Sequence, residues 1–128
     1  MNRRGVLLAG VAAVAGVSAA RAAPAVSVIY VGGWDCPPCT RWKNQHKADW
    51  QASALYKRVG YIEVDTPRLR DAYQERYWPG ELAAILEQLP EKRGTPRFLV
   101  VRDGTLVANR FGASQWPAIL EAVAEAVG

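Results

Sequence analysis

A pair of cysteines separated by two prolines, Cys36-Pro37-Pro38-Cys39, restricts the fold of this chain more than any other feature of the sequence. The pair follows a segment rich in β-branched and aromatic residues, Val26 to Val31, which ends at Gly32-Gly33 and predicts a buried strand. Proline is tolerated in the first turn of a helix, because the N–H that it lacks would have no partner there. The sequence therefore predicts that the two cysteines lie where a buried strand passes into a helix.

The number of cysteines excludes two classes of small protein. The chain has only these two, so it can form neither a framework of several disulfides nor a zinc site with four cysteine ligands. At the start of a helix, free backbone N–H groups and the helix dipole stabilise a thiolate, and a cysteine one turn later can attack a mixed disulfide formed by the first. The pattern favours a catalytic redox pair in which Cys36 attacks, Cys39 resolves the mixed disulfide, and Pro37 and Pro38 stiffen the loop between them.

Two other interpretations of the cysteine pair remain open. A purely structural disulfide is one, although so short a loop restricts the unfolded chain little. The other is a metal-binding module or metallochaperone, because two thiolates can hold Cu(I) or contribute half of a zinc site. The single histidine, His46, falls on the predicted helix, where we expect it to be solvated rather than a metal ligand. The redox interpretation needs no metal and no organic cofactor.

Residues 1–22 have the three-part pattern of a secretory signal peptide. Arg3-Arg4 is followed by an apolar run from Gly5 to Val17 and by small residues that end at Ala22. The apolar run is shorter than the roughly 20 residues that span a bilayer, so we expect cleavage after Ala22 and no stable membrane anchor. The paired arginines also match a twin-arginine export signal. We therefore expect a single domain over residues 23–128, exported to a bacterial periplasm.

The net charge of the chain belongs mostly to this signal segment. The 128-residue chain has 16 basic and 12 acidic residues, a formal charge of +4, which by itself favours a nucleic acid or a membrane surface as a partner. Arg3, Arg4 and Arg21 lie in the predicted signal peptide, which has no acidic residue, so the remaining domain is almost neutral. We therefore expect no nucleic-acid partner. The length fits one globular domain, which we expect to be monomeric.

Hydrophobic periodicity and turn residues predict the order β-α-β-α-β-β-α for the domain. The helix that starts at the cysteines should extend from Pro37 to Arg58, and the strand after it should span Gly60 to Asp65. Two helical stretches, Pro67 to Tyr77 and Glu81 to Leu89, should follow. Crossover helices between parallel strands are typical of α/β proteins.

The last third of the chain predicts a hairpin and a final helix. Asp103-Gly104 separates two strand-like segments, Phe98 to Arg102 and Thr105 to Arg110, and glycine accepts the positive φ of a tight turn. Ser114 is predicted to be the N-cap of the final helix, with Pro117 in its first turn. The apolar face of this helix should consist of Leu120, Val123, Ala124 and Val127.

Two segments together resemble the thioredoxin-like family, in particular its exported bacterial thiol:disulfide oxidoreductases. The first is the strand followed by Gly32-Gly33-Trp34-Asp35-Cys36-Pro37-Pro38-Cys39, and the second runs from Gly94 to Gly104 and contains Thr95-Pro96. The resemblance extends over Val26 to Val127 and implies a thioredoxin-like fold, with a mixed four-stranded sheet flanked by helices. It also implies that Pro96 is a cis-proline facing the cysteines and that Thr95 offers backbone hydrogen bonds to an extended partner chain.

The resemblance also implies partners and a direction of electron flow. Members of this family exchange electrons with thiols and disulfides of other proteins and are restored by an upstream redox partner. A threonine before the cis-proline resembles exported reductases and isomerases more than oxidases, and the domain is too short to include the dimerisation module of an isomerase. We therefore expect a disulfide reductase. An adaptor that has kept the fold and lost the chemistry is a further alternative.

Three positions depart from the family pattern. Asp35, rather than an aromatic residue, directly precedes Cys36, and its charge should oppose formation of a thiolate there. Tyr30 stands where the family has a buried acid that helps the second cysteine lose its proton, and Tyr61 stands near the usual position of a lysine. We therefore hypothesise that water or another carboxylate, with Glu63 as the candidate, accepts that proton.

The sequence also predicts where the tryptophans lie and what the long segment between the two motifs does. Trp34 lies beside the cysteines and should offer an apolar platform to a partner chain. The segment from Thr66 to Glu91 is expected to be a helical cover for the sheet, and a wall of a partner groove is the alternative. The tryptophans expected to pack in or near the core are Trp42, Trp50, Trp78 and Trp116.

Overall fold

A mixed sheet forms the centre of the domain in the computed structural model, which describes residues 24–128; the predicted signal peptide lies outside these residues. The strands are β1 (Val26–Gly33), β2 (Gly60–Thr66), β3 (Arg97–Arg102) and β4 (Thr105–Phe111). Their order in the sheet is β2-β1-β3-β4. β1 pairs in parallel with β2 and antiparallel with β3, which pairs antiparallel with β4. The predicted α/β class and mixed four-stranded sheet are confirmed.

The helix that begins after the first cysteine is shorter than predicted. It consists of α1 (Pro37–Trp42), a π-helical segment (Lys43–Lys47) and α2 (Ala48–Ala52), instead of one helix from Pro37 to Arg58. Ser53 is extended, with φ −79° and ψ 158°. Its hydroxyl donates to the Trp50 carbonyl at 2.7 Å and accepts the Tyr56 N–H at 3.2 Å. The serine side chain thus replaces backbone partners and ends the helix, and only a 3-10 turn follows.

The segment between β2 and β3 covers one face of the sheet, but mostly with tight turns. The helix predicted over Pro67 to Tyr77 is absent; 3-10 turns stand at Leu69–Asp71 and Glu75–Tyr77 instead. The indole N–H of Trp78 donates to the Ala72 carbonyl at 2.7 Å, so a side chain satisfies a group that a helix would pair with backbone. A third turn, Gly80–Leu82, leads into α3, Ala83–Gln88, within the second predicted stretch.

The hairpin is present as predicted, and the final helix begins later than predicted. Asp103 and Gly104 have φ values of 51° and 82°, as a tight hairpin turn requires. Ser114 is not an N-cap, because it lies inside a 3-10 turn, Ala113–Gln115, whose first N–H groups have no side-chain partner. The final helix, α4, spans Trp116–Val127 and has Pro117 in its first turn.

The buried face of α4 also differs in part from the predicted one. Trp116, Ile119 and Val123 are its fully buried residues, and Ala124 is exposed. The stripe that these three residues form recurs every three or four positions, which places Ala124 beyond its edge. None of the helices within residues 24–128 is long and apolar enough to cross a membrane.

The sheet separates two cores. The aromatic core lies between the sheet and the helices α1 and α4, and it contains both cysteines. The aliphatic core lies under the segment between β2 and β3, so that segment packs on the sheet as the predicted cover. The largest members of the aromatic core are Tyr30, Trp42, Trp50, Phe98 and Trp116. The main members of the aliphatic core are Ile29, Val31, Val64, Trp78, Leu82, Ile85, Leu86, Leu89 and Leu99.

Candidate active site

The two cysteines form a disulfide at the start of α1. Cys36 occupies the N-cap position with an extended backbone, φ −115° and ψ 103°, and its carbonyl accepts the Thr40 N–H at 3.0 Å. The exposed fractions of Cys36 and Cys39 are 2% and 1%, so the bond lies against the aromatic core. The sequence prediction that a strand leads the cysteines into a helix is confirmed.

Two hydrogen bonds reach the sulfur of Cys36. The Cys39 N–H donates to Cys36 Sγ at 3.2 Å, and the Thr95 hydroxyl donates to the same atom at 3.2 Å. Pro37 and Pro38 have no N–H, so the Cys39 N–H is the first free backbone donor of the helix. Donors aimed at a sulfur stabilise a negative charge on it, which is the form of Cys36 that attacks a disulfide.

The Thr95–Pro96 loop stands beside the disulfide, as the resemblance implies. The peptide bond between these residues is cis, and Gly94 before them has a φ of 92°. The Pro96 carbonyl accepts the Gly112 N–H at 2.8 Å, which ties the loop to the end of β4. Sequence reasoning assigned the backbone of Thr95 to partner binding and missed the contact of its hydroxyl with Cys36.

A buried arginine holds this loop in place, and sequence reasoning missed it. Arg97 is 6% exposed, and its Nε donates to the Tyr73 hydroxyl at 2.9 Å. Its other two nitrogens donate to Asn109 Oδ1 at 2.8 Å and to the Arg93 carbonyl at 2.6 Å. The Tyr73 hydroxyl in turn donates to the Gly94 carbonyl. The only sequence signal was an arginine directly before the apolar run Phe98 to Val101.

Three exposed apolar side chains lie close to the disulfide loop or to the cis-proline loop: Trp34 is adjacent in the chain, Leu69 lies beside Gly33, and Phe111 lies beside Gly94. Trp34 is 68% exposed, and Leu69 and Phe111 are also exposed. Asp35 is also exposed, and its carboxylate accepts the Leu69 N–H at 2.7 Å. The other four tryptophans are buried, as predicted. The surface near the cysteines therefore combines exposed apolar side chains with the charge of Asp35.

Tyr30 lies behind the disulfide, at the position where the family pattern has an acid. Its ring stacks on Trp42 with centroids 5.2 Å apart, and its hydroxyl is buried with no hydrogen-bond partner. A Cβ on Gly32 would lie 2.1 Å from that hydroxyl oxygen and 3.0 Å from Cys39 Sγ, so glycine is the residue that admits both atoms. Burial raises the pKa of Tyr30 above its usual value, and the carboxylates of Asp65 and Glu63 add to this.

Glu63, the sequence candidate for accepting the Cys39 proton, is engaged with other groups. Its carboxylate accepts the Tyr61 hydroxyl at 2.7 Å and pairs with Lys47 at 2.8 Å. Burial acts to raise the pKa of Glu63, but the hydrogen bonds from Lys47 and Tyr61 and the charge of Lys43 outweigh it and hold the pKa below its usual value. Burial, with the bond to Glu63, also raises the pKa of Tyr61.

The cysteine pair and His46, which were considered as metal ligands, do not come together in one metal site. Cys36 and Cys39 are joined to each other, and His46 lies on the π-helical segment, where it lines a shallow hollow with Asp49 and Pro117. Within the part of the chain that the structure describes, no group of three or more His, Cys, Asp or Glu side chains is placed to hold a metal ion.

Comparison with known proteins identifies the fold. No protein-family model matches the chain, and no curated protein sequence matches it. Among solved structures it is similar to thioredoxin (Mala s 13) of Malassezia sympodialis, with 17% identity, a TM-score of 0.55 and coverage of 83% of this chain and 80% of that one. Spinach chloroplast thioredoxin f gives 17% identity and a TM-score of 0.56, covering 83% and 74% of the two chains. The reduced periplasmic thioredoxin SoxS of Paracoccus pantotrophus gives 13% identity and a TM-score of 0.58, covering 79% and 98%. The chain thus has a thioredoxin-like fold.

Proposed function

We propose that this protein is a thiol:disulfide oxidoreductase of the bacterial periplasm that acts mainly as a disulfide reductase. One observation carries the proposal: the Cys36–Cys39 disulfide stands at a helix start, and the hydroxyl beside the cis-proline donates a hydrogen bond to Cys36 Sγ. Hydrogen bonds to sulfur favour the thiolate that disulfide exchange requires. The thioredoxin-like fold supports the same chemistry.

In the proposed reaction the reduced protein attacks first through Cys36. Its thiolate forms a bond to one sulfur of a partner disulfide, and the other partner sulfur leaves with the electron pair and takes up a proton. The hydrogen bonds from Thr95 and from the Cys39 N–H stabilise Cys36 while it is charged. The product of this step is a mixed disulfide between Cys36 and the partner.

The second step releases the partner. Cys39 loses its proton to water, and its thiolate attacks Cys36 Sγ. The Cys36–Cys39 bond forms, the bond between Cys36 and the partner breaks, and the second partner sulfur leaves as a thiol after protonation. The partner has then gained two electrons and two protons, and this protein is in the disulfide form seen in the structure. An upstream dithiol partner restores the reduced pair by the reverse exchange. Neither step needs a metal or an organic cofactor.

We assign partner binding to the apolar rim of the disulfide. Thr95 and Pro96 would align an extended partner chain next to Cys36, and Trp34 would pack on an apolar side chain that flanks the partner's cysteine. Phe111, which lies beside Gly94, and Leu69, which lies beside Gly33, are exposed and would extend this surface. A surface of this kind fits a locally unfolded protein segment, which exposes apolar side chains around its disulfide.

The redox equilibrium with glutathione tests the proposal. We expect the pair to equilibrate, and we expect a reduction potential nearer to the roughly −270 mV of a reducing dithiol than to the roughly −120 mV of a strong periplasmic oxidant. Cys36→Ser should abolish reduction of a model protein disulfide. Cys39→Ser, the matched control, should still attack and should accumulate the mixed disulfide. Exchange at the unchanged rate in Cys36→Ser would refute the assignment of Cys36.

The same equilibrium separates the other candidate roles. A pair that binds Cu(I) at a ratio of one to one and exchanges no disulfide would instead be a metal-binding module. A pair that exchanges with neither glutathione nor a strong dithiol reductant would be redox-inert and would indicate an adaptor. A potential near that of a strong oxidant would keep the oxidoreductase and reverse its direction.

A further inference from the structure

A buried hydroxyl without a partner lies against the resolving cysteine. The Tyr30 hydroxyl is one of four buried side-chain polar atoms without a hydrogen-bond partner among residues 24–128. Leaving such an atom unpaired destabilises a protein, so an unpaired one beside reactive atoms needs an explanation. A Cβ at Gly32 would fall within 3.0 Å of both the hydroxyl oxygen and Cys39 Sγ, which shows how closely these atoms approach the same point.

The Tyr30 hydroxyl makes no hydrogen bond to the disulfide. A sulfur in a disulfide is a weak acceptor, whereas a thiolate is charged and accepts hydrogen bonds strongly. When the Cys36–Cys39 bond opens, the electron pair of the bond stays on Cys39, which becomes the thiolate. Tyr30 therefore has no strong acceptor beside it in the oxidised protein, and opening of the disulfide creates one at Cys39 Sγ.

The hydroxyl cannot act as a base towards Cys39. Burial and two nearby carboxylates raise the pKa of Tyr30, so the phenol keeps its proton at physiological pH and cannot remove one from Cys39. Lys43 does not compete with it for the sulfur, because its ammonium is paired with Asp65 and lies 5.2 Å from the centre of the Tyr30 ring. The stacked Trp42 ring and the aromatic core hold Tyr30 in this position.

We propose that the Tyr30 hydroxyl donates a hydrogen bond to Cys39 Sγ once the Cys36–Cys39 bond is open, most strongly while Cys39 is a thiolate, and so stabilises the reduced pair. The proposal rests on the proposed function. Tyr30, and not Glu63, is the side chain that assists Cys39; it does so by a hydrogen bond, and the proton of Cys39 goes to water. In the forward reaction Tyr30 keeps Cys39 charged and ready to attack Cys36 Sγ; in the reverse reaction it stabilises Cys39 as the leaving thiolate. No proton is transferred to or from Tyr30 in either direction.

The test compares two tyrosines that lose the same atom. Tyr30→Phe removes a hydroxyl that has no partner in the oxidised protein, and Tyr61→Phe removes one that donates to Glu63 at 2.7 Å on the neighbouring strand. Both variants and the unaltered protein are equilibrated with glutathione, and the reduced fraction is measured. We expect Tyr30→Phe to shift the equilibrium about tenfold towards the disulfide, which equals a potential about 30 mV lower. Tyr61→Phe should leave it within about twofold.

Thermal unfolding of both redox forms provides a second readout that needs no exchange activity. The fully reduced form is prepared with a strong chemical reductant and the oxidised form with an oxidant. Tyr30→Phe should raise the Tm of the oxidised form, because an unpaired buried hydroxyl is removed, and should lower the Tm of the reduced form. Tyr61→Phe should lower both by similar amounts.

The outcomes distinguish this inference from the proposed function. If Tyr30→Phe raises the Tm of both forms equally and leaves the glutathione equilibrium unchanged, the hydroxyl has only a packing role and the inference is wrong. If the unaltered protein exchanges no disulfide, the proposed function fails, and the opposite Tm shifts of the two forms still decide whether Tyr30 bonds the thiolate.

Discussion

The two faces of the sheet differ in whether their buried polar atoms have hydrogen-bond partners. On the face of the aliphatic core, Trp78 donates to the Ala72 carbonyl, Tyr73 donates to Gly94, and the guanidinium of Arg97 has three partners. On the face of the aromatic core, several buried polar atoms of the described residues have no partner. These atoms are Tyr30 Oη, Trp42 Nε1, Trp50 Nε1 and Asp65 Oδ1.

The difference shows which face supports the fold and which serves the disulfide. Unpaired buried polar groups are rare in native proteins, and they concentrate where function requires a group that is not yet bonded. The aliphatic face anchors the cis-proline loop through paired groups. The aromatic face contains both cysteines. It depends on ring packing instead of on hydrogen bonds; the ring centroids of Trp42 and Trp116, for example, are 5.0 Å apart.

The largest expected effect comes from the same substitution made on each face. Trp78→Phe removes ring volume and also leaves the buried Ala72 carbonyl unpaired, so we expect the free energy of unfolding to fall by about 3 kcal/mol. Trp42→Phe removes equal volume but no hydrogen bond, and we expect a fall of about 1.5 kcal/mol. Urea denaturation of the two oxidised variants measures both values.

The difference between the two losses in the free energy of unfolding measures what the Trp78 hydrogen bond contributes. Both rings are almost fully buried, which makes the volume terms comparable. Equal losses would mean that the indole N–H of Trp78 contributes nothing beyond packing, and the contrast between the two faces would then lose its energetic meaning.

A smaller effect on stability is expected from a change in pH, and it should arise from Glu63 on the face of the aromatic core. The pKa of folded Glu63 lies below its ordinary value of 4.5, so the folded state is stabilised above that pH and loses this stabilisation as the pH falls through the folded pKa. Because the ion pair of Glu63 with Lys47 is partly exposed, we expect its loss to cost less than about 1 kcal/mol. Glu63→Gln should show a smaller decrease between neutral pH and pH 3 than the unaltered protein, when the free energy of unfolding is measured by urea denaturation across that range.

Glu87→Gln is the matched control on the other face. Glu87 is exposed on α3 and has no ion pair within residues 24–128. The free energy of unfolding of the Glu87→Gln variant should depend on pH as that of the unaltered protein does. A flattened profile in both variants would trace the acid sensitivity to net charge and not to the pairing of Glu63 with Lys47 and Tyr61.

The sequence predicted the sheet well because strand signals are local. Val26 to Val31 is dominated by β-branched residues, and Asp103-Gly104 supplies the positive φ values of the hairpin, so neighbouring residues alone determine both elements. The end of the first helix depends on the Ser53 hydroxyl, which competes with the backbone for partners. Propensity did not reveal that competition, and the predicted helix ran too long.

The candidate site divides in the same way. The cysteine pair and Thr95-Pro96 could be predicted, because motif and order along the chain suffice to place them. The roles of Tyr30 and Arg97 could not, because each follows from contacts between distant segments. Arg97 bridges Tyr73, Arg93 and Asn109, and Tyr30 meets Cys39 only because Gly32 leaves the space open.

The smallest expected effect concerns Asp35, which links the disulfide loop to the cover of the other face. Its carboxylate accepts the Leu69 N–H at 2.7 Å, and it also places a negative charge beside Cys36. Asp35→Asn keeps an oxygen that can accept the Leu69 N–H, so stability should change by less than about 0.5 kcal/mol. Removal of the charge should raise the thiolate population of reduced Cys36 and its alkylation rate by about twofold to threefold at low salt.

Asp35→Ala separates the two roles of this residue. It removes the charge and also the acceptor, so its alkylation rate should rise as in Asp35→Asn, while its free energy of unfolding should fall by about 0.5–1 kcal/mol. If Asp35→Asn alkylates at the unaltered rate, the bond to the Leu69 N–H already neutralises the influence of the carboxylate on Cys36. Asp35 would then belong with the paired groups that hold the fold, and the unpaired Tyr30 would remain as the group in the described chain that is poised to respond to the redox state.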